Sequence, residues 1–141
     1  ISALIPYVKY YMPSSRIVPV LLHGNLGLEN SVELGCAMKE KLQDKNYLVI
    51  ASVDFSHYLS AKEADIMDKI TLEAIAGRDI HAISRMGNDN LDSPPSIITL
   101  LTIMDRAGAK EVSVIDHDNS ARIAGGGMDY TTSYFTMLFY R

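Results

Sequence analysis

The sequence predicts an α/β fold in one domain, a mostly parallel sheet with helices on both faces. Three observations predict it. Apolar, β-branched runs alternate along the chain with segments of helical spacing. The helical segments carry recognisable start and stop signals. The last run, Ser133 to Tyr140, is apolar on both faces, as expected of an interior strand.

Taken in order, Arg16 to His23 reads as a buried strand, followed by the turn Gly24-Asn25-Leu26-Gly27. Asn30 with Glu33 three residues on suits a helix start, and Leu34, Ala37, Met38 and Leu42 then share a face. Tyr47 to Val53 is a second strand-like run. Ser60 and Glu63 form a capping box, Met67, Ile70 and Ala74 mark the following helix face, and Gly77 ends it. A short helix fits Asp79 to Arg85. Ser93 before Pro94 reads as an N-cap with proline in the first turn, leading into the stripe Ile97, Leu100, Leu101 and Met104 that Gly108 closes. Val112 to Ile115 and Ser133 to Tyr140 are the last two strands.

The chain has 141 residues, enough to bury a core, and no repeat or linker-like stretch divides it. Its net charge of -4 argues against a nucleic-acid binder, which needs a basic face. No apolar run reaches bilayer-spanning length, and no basic region precedes an apolar one at the start, so neither a membrane span nor an export signal is expected. A single cysteine, Cys36, cannot pair within the chain, which makes a reducing cytoplasm the default.

In parallel sheets ligands collect at the carboxyl ends of the strands. There, Val53 runs directly into Asp54-Phe55-Ser56-His57-Tyr58. An imidazole in that place can act as a general acid or base, with Asp54 orienting it. The plainer reading has Asp54 capping a turn and His57 as a satisfied interior histidine. Asp92, beside the helix start at Ser93, is either a capping carboxylate or a metal ligand projecting into the cleft. His23 ends the first strand and reads as structural or exposed, and His81 as solvated. His117, between Asp116 and Asp118, reads first as part of a turn. Cys36 reads as a buried inert thiol, and Gly125-Gly126-Gly127 as a flexible loop with no phosphate-binding fingerprint. Tyr7, Tyr10 and Tyr11 form a cluster that packing or an interface explains.

The string Ser52-Val53-Asp54-Phe55-Ser56-His57-Tyr58 closely resembles the S-x-D-F-S-H-Y signature of the Memo-like family, the B-type component of the AmmeMemoRadiSam system. Softer matches fall in the same order. Ile1 to Tyr7 resembles the family's H-S-I-E-x-x-L-P-Y segment, entered after its histidine, and Pro19 to Leu22 its next strand. Asn90 to Ile97 occupies the place of a C-G-x-x-P-I helix start, and Thr132 to Phe135 resembles the closing strand.

The resemblance implies a three-layer fold like that of class III extradiol dioxygenases, which use non-haem Fe(II). Residues 1–141 would then be the C-terminal portion of one such domain, with an upstream half of the same domain as its partner. It implies a metal held by two histidines and a cysteine. Neither histidine falls within this chain, and the cysteine position falls at Asp92, or at Ser93 if the match shifts by one residue. It further implies an acid/base role for His57, with Asp54 as its orienter and Asp92 as metal ligand. Fe(II) is expected in the full-length protein, and no tight iron binding is expected from this stretch alone. One functional reading is an iron-dependent oxidoreductase or part of one. The other is a non-catalytic protein that uses the cleft to hold a peptide or small metabolite. The resemblance also suggests a shared pathway with AMMECR-like and radical-SAM proteins.

Overall fold

The computed structural model describes residues 3–126 and 129–141. The elements are helix α1 (Ile5–Tyr11), α2 (Leu28–Lys41), strand β1 (His57–Leu59), α3 (Ala61–Ala76), α4 (Ile80–Ile83), α5 (Pro94–Ala107), β2 (Glu111–Asn119), α6 (Ser120–Ile123) and β3 (Thr131–Tyr140). The class is α/β, but the sheet is not the mostly parallel one expected. It has three strands in the order β1-β3-β2, and both pairings are antiparallel.

The difference has a physical origin in two segments. The runs at 16–23 and 47–53 stand without regular strand structure, and none of the backbone hydrogen bonds among the described residues is donated from them. A strand needs a neighbour to satisfy its backbone groups. Here three apolar side chains of the first run face solvent, Val20 together with Val18 at 83% and Leu21 at 88% exposed. Leu48 and Ile50 in the second run are also exposed. The strand-like composition is real, and the ladder partners are missing.

β3 is central, as its apolar sequence suggests, yet only one of its faces is covered. Thr131, Ser133, Phe135, Met137 and Phe139 turn toward the helices, while Tyr134, Leu138 and Tyr140 are exposed. β2 runs from Glu111 to Asn119 and so takes in His117, which the sequence placed in a turn.

The core gathers around α5. Phe55, Ile75, Ile83, Leu91, Ile97, Ile98 and Leu101 form a buried cluster, with Phe135, Met137 and Phe139 packed against it. Every residue from Ile97 to Ile103 is buried, so α5 is covered all round instead of along one stripe. Gly108 ends it in the left-handed conformation, φ 74°, that glycine adopts without penalty.

Two helices are rotated from the faces their apolar spacing predicts. α2 starts at Leu28 with Gly27 as its N-cap, so Asn30 lies inside the helix and does not cap it. Its buried centre is Ser31 and Gly35, because Gly35 lets α2 approach Thr99 and Thr102 of α5 closely. α3 has the expected capping box between Ser60 and Glu63, and Gly77 caps its end. Its buried face, however, is Ala64, Asp68, Thr71 and Ile75, while Ile70 is exposed. Hydrogen bonds of Asp68 and Thr71 to neighbouring segments account for this rotation, since a buried polar group needs its partner. α4 begins at Asp79, whose carboxylate accepts the Ala82 N–H. Ser93 stands at the N-cap of α5 but makes no side-chain cap; its hydroxyl lies 2.7 Å from that of Ser96.

Candidate metal centre

Main-chain fastening builds the site. Phe55 is buried and bridges to Leu91, which sets the segment before it beside the segment leading into α5. The Asp92 N–H donates to the Asp54 carbonyl at 3.0 Å. The Phe55 N–H donates to the Ser133 carbonyl and the Ser133 N–H returns a bond to the Ser56 carbonyl, both at 3.0 Å. The His57 N–H donates to the Asn88 carbonyl at 2.8 Å. These bonds hold the stretch from Asp54 to His57 between β3 and the loop before α5.

The result is a cluster. Asp54, His57 and Asp92 each offer one ligand atom, and the three atoms all lie within 4.8 Å of one another. The two aspartates are exposed at the edge and His57 is half-buried. Thr132 Oγ1 lies 3.2 Å from His57 Nδ1, and this threonine is the hydrogen-bonding partner of the ring among the described residues. Burial beside these groups pushes the Asp92 carboxyl above its ordinary range, the Asp54 charge adds to the rise, and His57 opposes it. Among the described residues no lysine or arginine pairs with Asp54 or Asp92. Two carboxylates held together without an internal cation are suited to an external one.

A second acidic group tests that argument. Asp65, Asp68 and His117 also bring ligand atoms within 4.8 Å of one another. Here the charge is already answered. Arg122 donates to both Asp65 oxygens at 2.9 and 3.1 Å and to Asp118 at 2.9 Å. Asp68 accepts the Ser56 hydroxyl and faces His117 Nε2, each at 2.7 Å. Hydrogen bonds from the Asn119 N–H and from Arg122 hold the Asp118 carboxyl below its usual range. A metal ion would have to displace Arg122, so the first cluster is the one with the character of a cation site.

The other sequence candidates lie apart from it. His23 is exposed and its Nδ1 accepts the Asn25 N–H in the turn that follows. His81 is exposed on α4, and Cys36 is a half-buried free thiol on α2. Tyr7, Tyr10 and Tyr11 are exposed on α1, which has no buried residue. Gly125 and Gly126 adopt left-handed backbone after α6, while Gly127 falls outside the described residues, as do Ile1 and Ser2.

Three groups at the site escaped sequence reasoning. The fold brings Thr132 and the main-chain carbonyl of Asn88 to His57, and Asp68 to the neighbouring Ser56. Reading α3 by its apolar residues alone gives no signal for Asp68, which is buried on its other face.

Beside Asp92 a cavity of about 260 Å³ opens between the turn at Gly27, the loop at Met86 and the start of α5, walled by Leu28, Leu91 and Pro95.

A family model described as "Memo-like protein" matches residues 1–138. The chain belongs to the Memo-like family. Its relatives include a MEMO1 family protein of Caldivirga maquilingensis, 25% identical over 146 residues, and one of Methanopyrus kandleri, 28% identical over 150 residues. Both alignments cover 100% of this chain and 51% of the relative. A third, from Methanococcoides burtonii, is 25% identical over 134 residues, covering 91% of this chain and 50% of the relative. This Memo-like chain thus spans about half the length of the curated relatives it matches.

The donor chemistry of the Memo-like site fits a divalent metal. The Asp54 and Asp92 carboxylates, with the His57 imidazole beside them, form an oxygen-rich set suited to a hard divalent cation. It is a richer set than Asp92 alone, because the bond between Asp92 and Asp54 brings the second carboxylate into reach. No described helix of this Memo-like chain is long and apolar enough to cross a membrane.

Proposed function

We propose that this chain forms one wall of a metal-centred cleft, with Asp54 and Asp92 as oxygen ligands and His57 as the acid/base group. The whole protein would be a non-haem iron-dependent oxidoreductase related in fold to the class III extradiol dioxygenases, working on a small molecule in a reducing cytoplasm. The observation that carries the reading is the convergence of three ligand atoms within 4.8 Å, with no lysine or arginine among the described residues to neutralise them. When bound, Fe(II) supplies Lewis acidity and a one-electron couple.

The chain's own residues account for the rest. The Asp92 to Asp54 main-chain bond sets the two carboxylates at a fixed separation, so little ordering is required when a cation arrives. Thr132 holds the imidazole at Nδ1, which leaves Nε2 to take or give a proton. The exposed apolar runs at 16–23 and 47–53 offer edges on which the upstream half of the domain would complete the sheet.

The test is anaerobic Fe(II) binding by the full-length protein beside Asp92→Ala and His57→Ala. Stoichiometric iron that needs Asp92 and survives loss of His57 supports the assignment. Unchanged affinity in Asp92→Ala removes Asp92 from the metal.

A second reading, a binding protein without catalysis, is favoured by the cavity beside Asp92. Pro94 and Pro95 open α5 and carry no N–H, and the Ser96 and Ile97 N–H groups both turn back to the Ser93 carbonyl. The start of α5 therefore lacks the free donors that bind anions. With Asp92 on its wall, the cavity suits a neutral or cationic ligand and disfavours a phosphate or carboxylate.

A further inference from the structure

Asp68 is 1% exposed, lies two turns into α3, and takes no part in the metal set. One oxygen accepts the Ser56 hydroxyl at 2.7 Å and the other faces His117 Nε2 at 2.7 Å. His117 is itself held by stacking on Phe135, with ring centroids 4.2 Å apart, and Phe135 meets Phe55 edge-on at 4.7 Å. A buried carboxylate fixed from one side by His117 makes a rigid anchor for Ser56, the residue immediately before His57.

The same helix grips the chain again four residues later. Ser60 is the N-cap of α3, bound reciprocally with Glu63. Between the two grips Tyr58 adopts φ 59°, a left-handed backbone that costs a tyrosine energy, and the pairing of β1 with β3 slips between His57 and Leu59. The Tyr58 side chain is exposed, so its own packing does not account for this conformation. The fastening at Ser56 and at Ser60 does.

We propose that Asp68 is a positioning residue for the candidate metal centre: through the Ser56 hydroxyl it clamps the segment from Asp54 to His57 against α3 and holds the strained turn at Tyr58, and so sets Asp54 and His57 beside Asp92. The inference rests on the metal reading of Asp54, His57 and Asp92. It assigns to α3 the task of shaping the loop, and to His117 that of fixing the anchor.

The test uses Mn(II) alone, titrated into the full-length protein and followed by water-proton relaxation, together with the ¹⁵N resonances of the His57 ring in metal-free protein. Ser56→Ala should weaken Mn(II) binding about tenfold, the loss typical of an outer partner of a metal site. Asp68→Ala should match it, and the double variant should lose little more, because both act through one contact. Adding Tyr58→Gly to Ser56→Ala should recover most of the affinity, since glycine adopts the left-handed backbone without strain and no longer needs the clamp. A general loss of stability would not be repaired in this way. Should Asp68→Ala not fold, Ser56→Ala with and without Tyr58→Gly carries the test.

Wild-type affinity in Ser56→Ala, additive losses in the double variant, or no recovery with Tyr58→Gly each overturns the proposal. If the wild-type full-length protein binds no Mn(II), the metal reading fails and the ring resonances decide the positioning role. They should move in Ser56→Ala and return with Tyr58→Gly; resonances that stay put refute it.

Discussion

The Asp92 N–H and the Asp54 carbonyl are joined by a 3.0 Å hydrogen bond, so two carboxylates are brought side by side by the main chain and not by their side chains. The arrangement is unfavourable for the charges themselves. Burial and the Asp54 charge both raise the Asp92 carboxyl above its ordinary range. A carboxyl whose folded value is raised costs stability when ionised, and the cost disappears once pH falls below the value of the unfolded chain. Asp92→Asn should therefore unfold at a higher temperature than wild type near pH 7, with the gap closing as the pH drops through the carboxylate range. The same variant should lose divalent-metal binding. Thermal melts at several pH values check the first half and metal titration the second; a lower melting temperature at pH 7 would show that Asp92 stabilises the fold.

Thr132 supplies the oxygen 3.2 Å from His57 Nδ1. Thr132→Val keeps the shape of the side chain and removes the hydroxyl, freeing the ring to turn. If His57 works as acid/base in the whole protein, activity should fall about 10- to 100-fold, the range seen when an outer partner is removed. Metal content should hold, because both carboxylates are untouched. Loss of metal along with activity would instead make His57 a ligand.

The three residues of the candidate site were legible in sequence, and the groups that hold them were not. Asp54 and His57 stand in a seven-residue string, and Asp92 lies at a recognisable helix start, so local pattern was enough to find them. Thr132 reaches His57, Asp68 reaches Ser56 and His117 reaches Asp68 only once β2, β3 and α3 have folded. The fold divides in the same way. The capping box at Ser60 and the stop at Gly108 are local signals, and the structure has both. Sheet direction is not local: apolar runs at 16–23 and 47–53 resemble parallel strands, but a strand exists only with a neighbour, and none of the described residues provides one. The rotations of α2 and α3 share one cause, since apolar spacing cannot register a glycine contact or a buried aspartate.

Gly35 tests the close approach of α2 to α5. A Cβ there would stand 2.7 Å from Thr102 Cβ and 2.9 Å from the Thr99 carbonyl oxygen. Part of that wall is helix backbone, which cannot swing aside. Gly35→Ala gains helix propensity, yet overpacking of about 1–3 kcal/mol outweighs that gain. Chemical denaturation should show a net loss of stability with an unchanged slope. A stabilised variant would mean that the two helices slide apart freely.

Hydrogen exchange separates strand-like composition from strand structure. The amides of β2 and β3 are tied in a ladder running from Glu111 opposite Tyr140 to Asn119 opposite Ser133. Those at 16–23 and 47–53 donate no backbone bond among the described residues, and several of their apolar side chains, Leu21 and Leu48 among them, lie open to water. Opening free energy follows burial and hydrogen bonding. The ladder amides should thus exchange slowly and the two runs at close to unprotected rates in the chain alone. Joining the upstream half of the domain should slow exchange in both runs, because they would then gain strand neighbours. Protection of the runs in the isolated chain comparable to that of β3 would contradict this account, and no change on adding the upstream half would remove the proposed sheet completion.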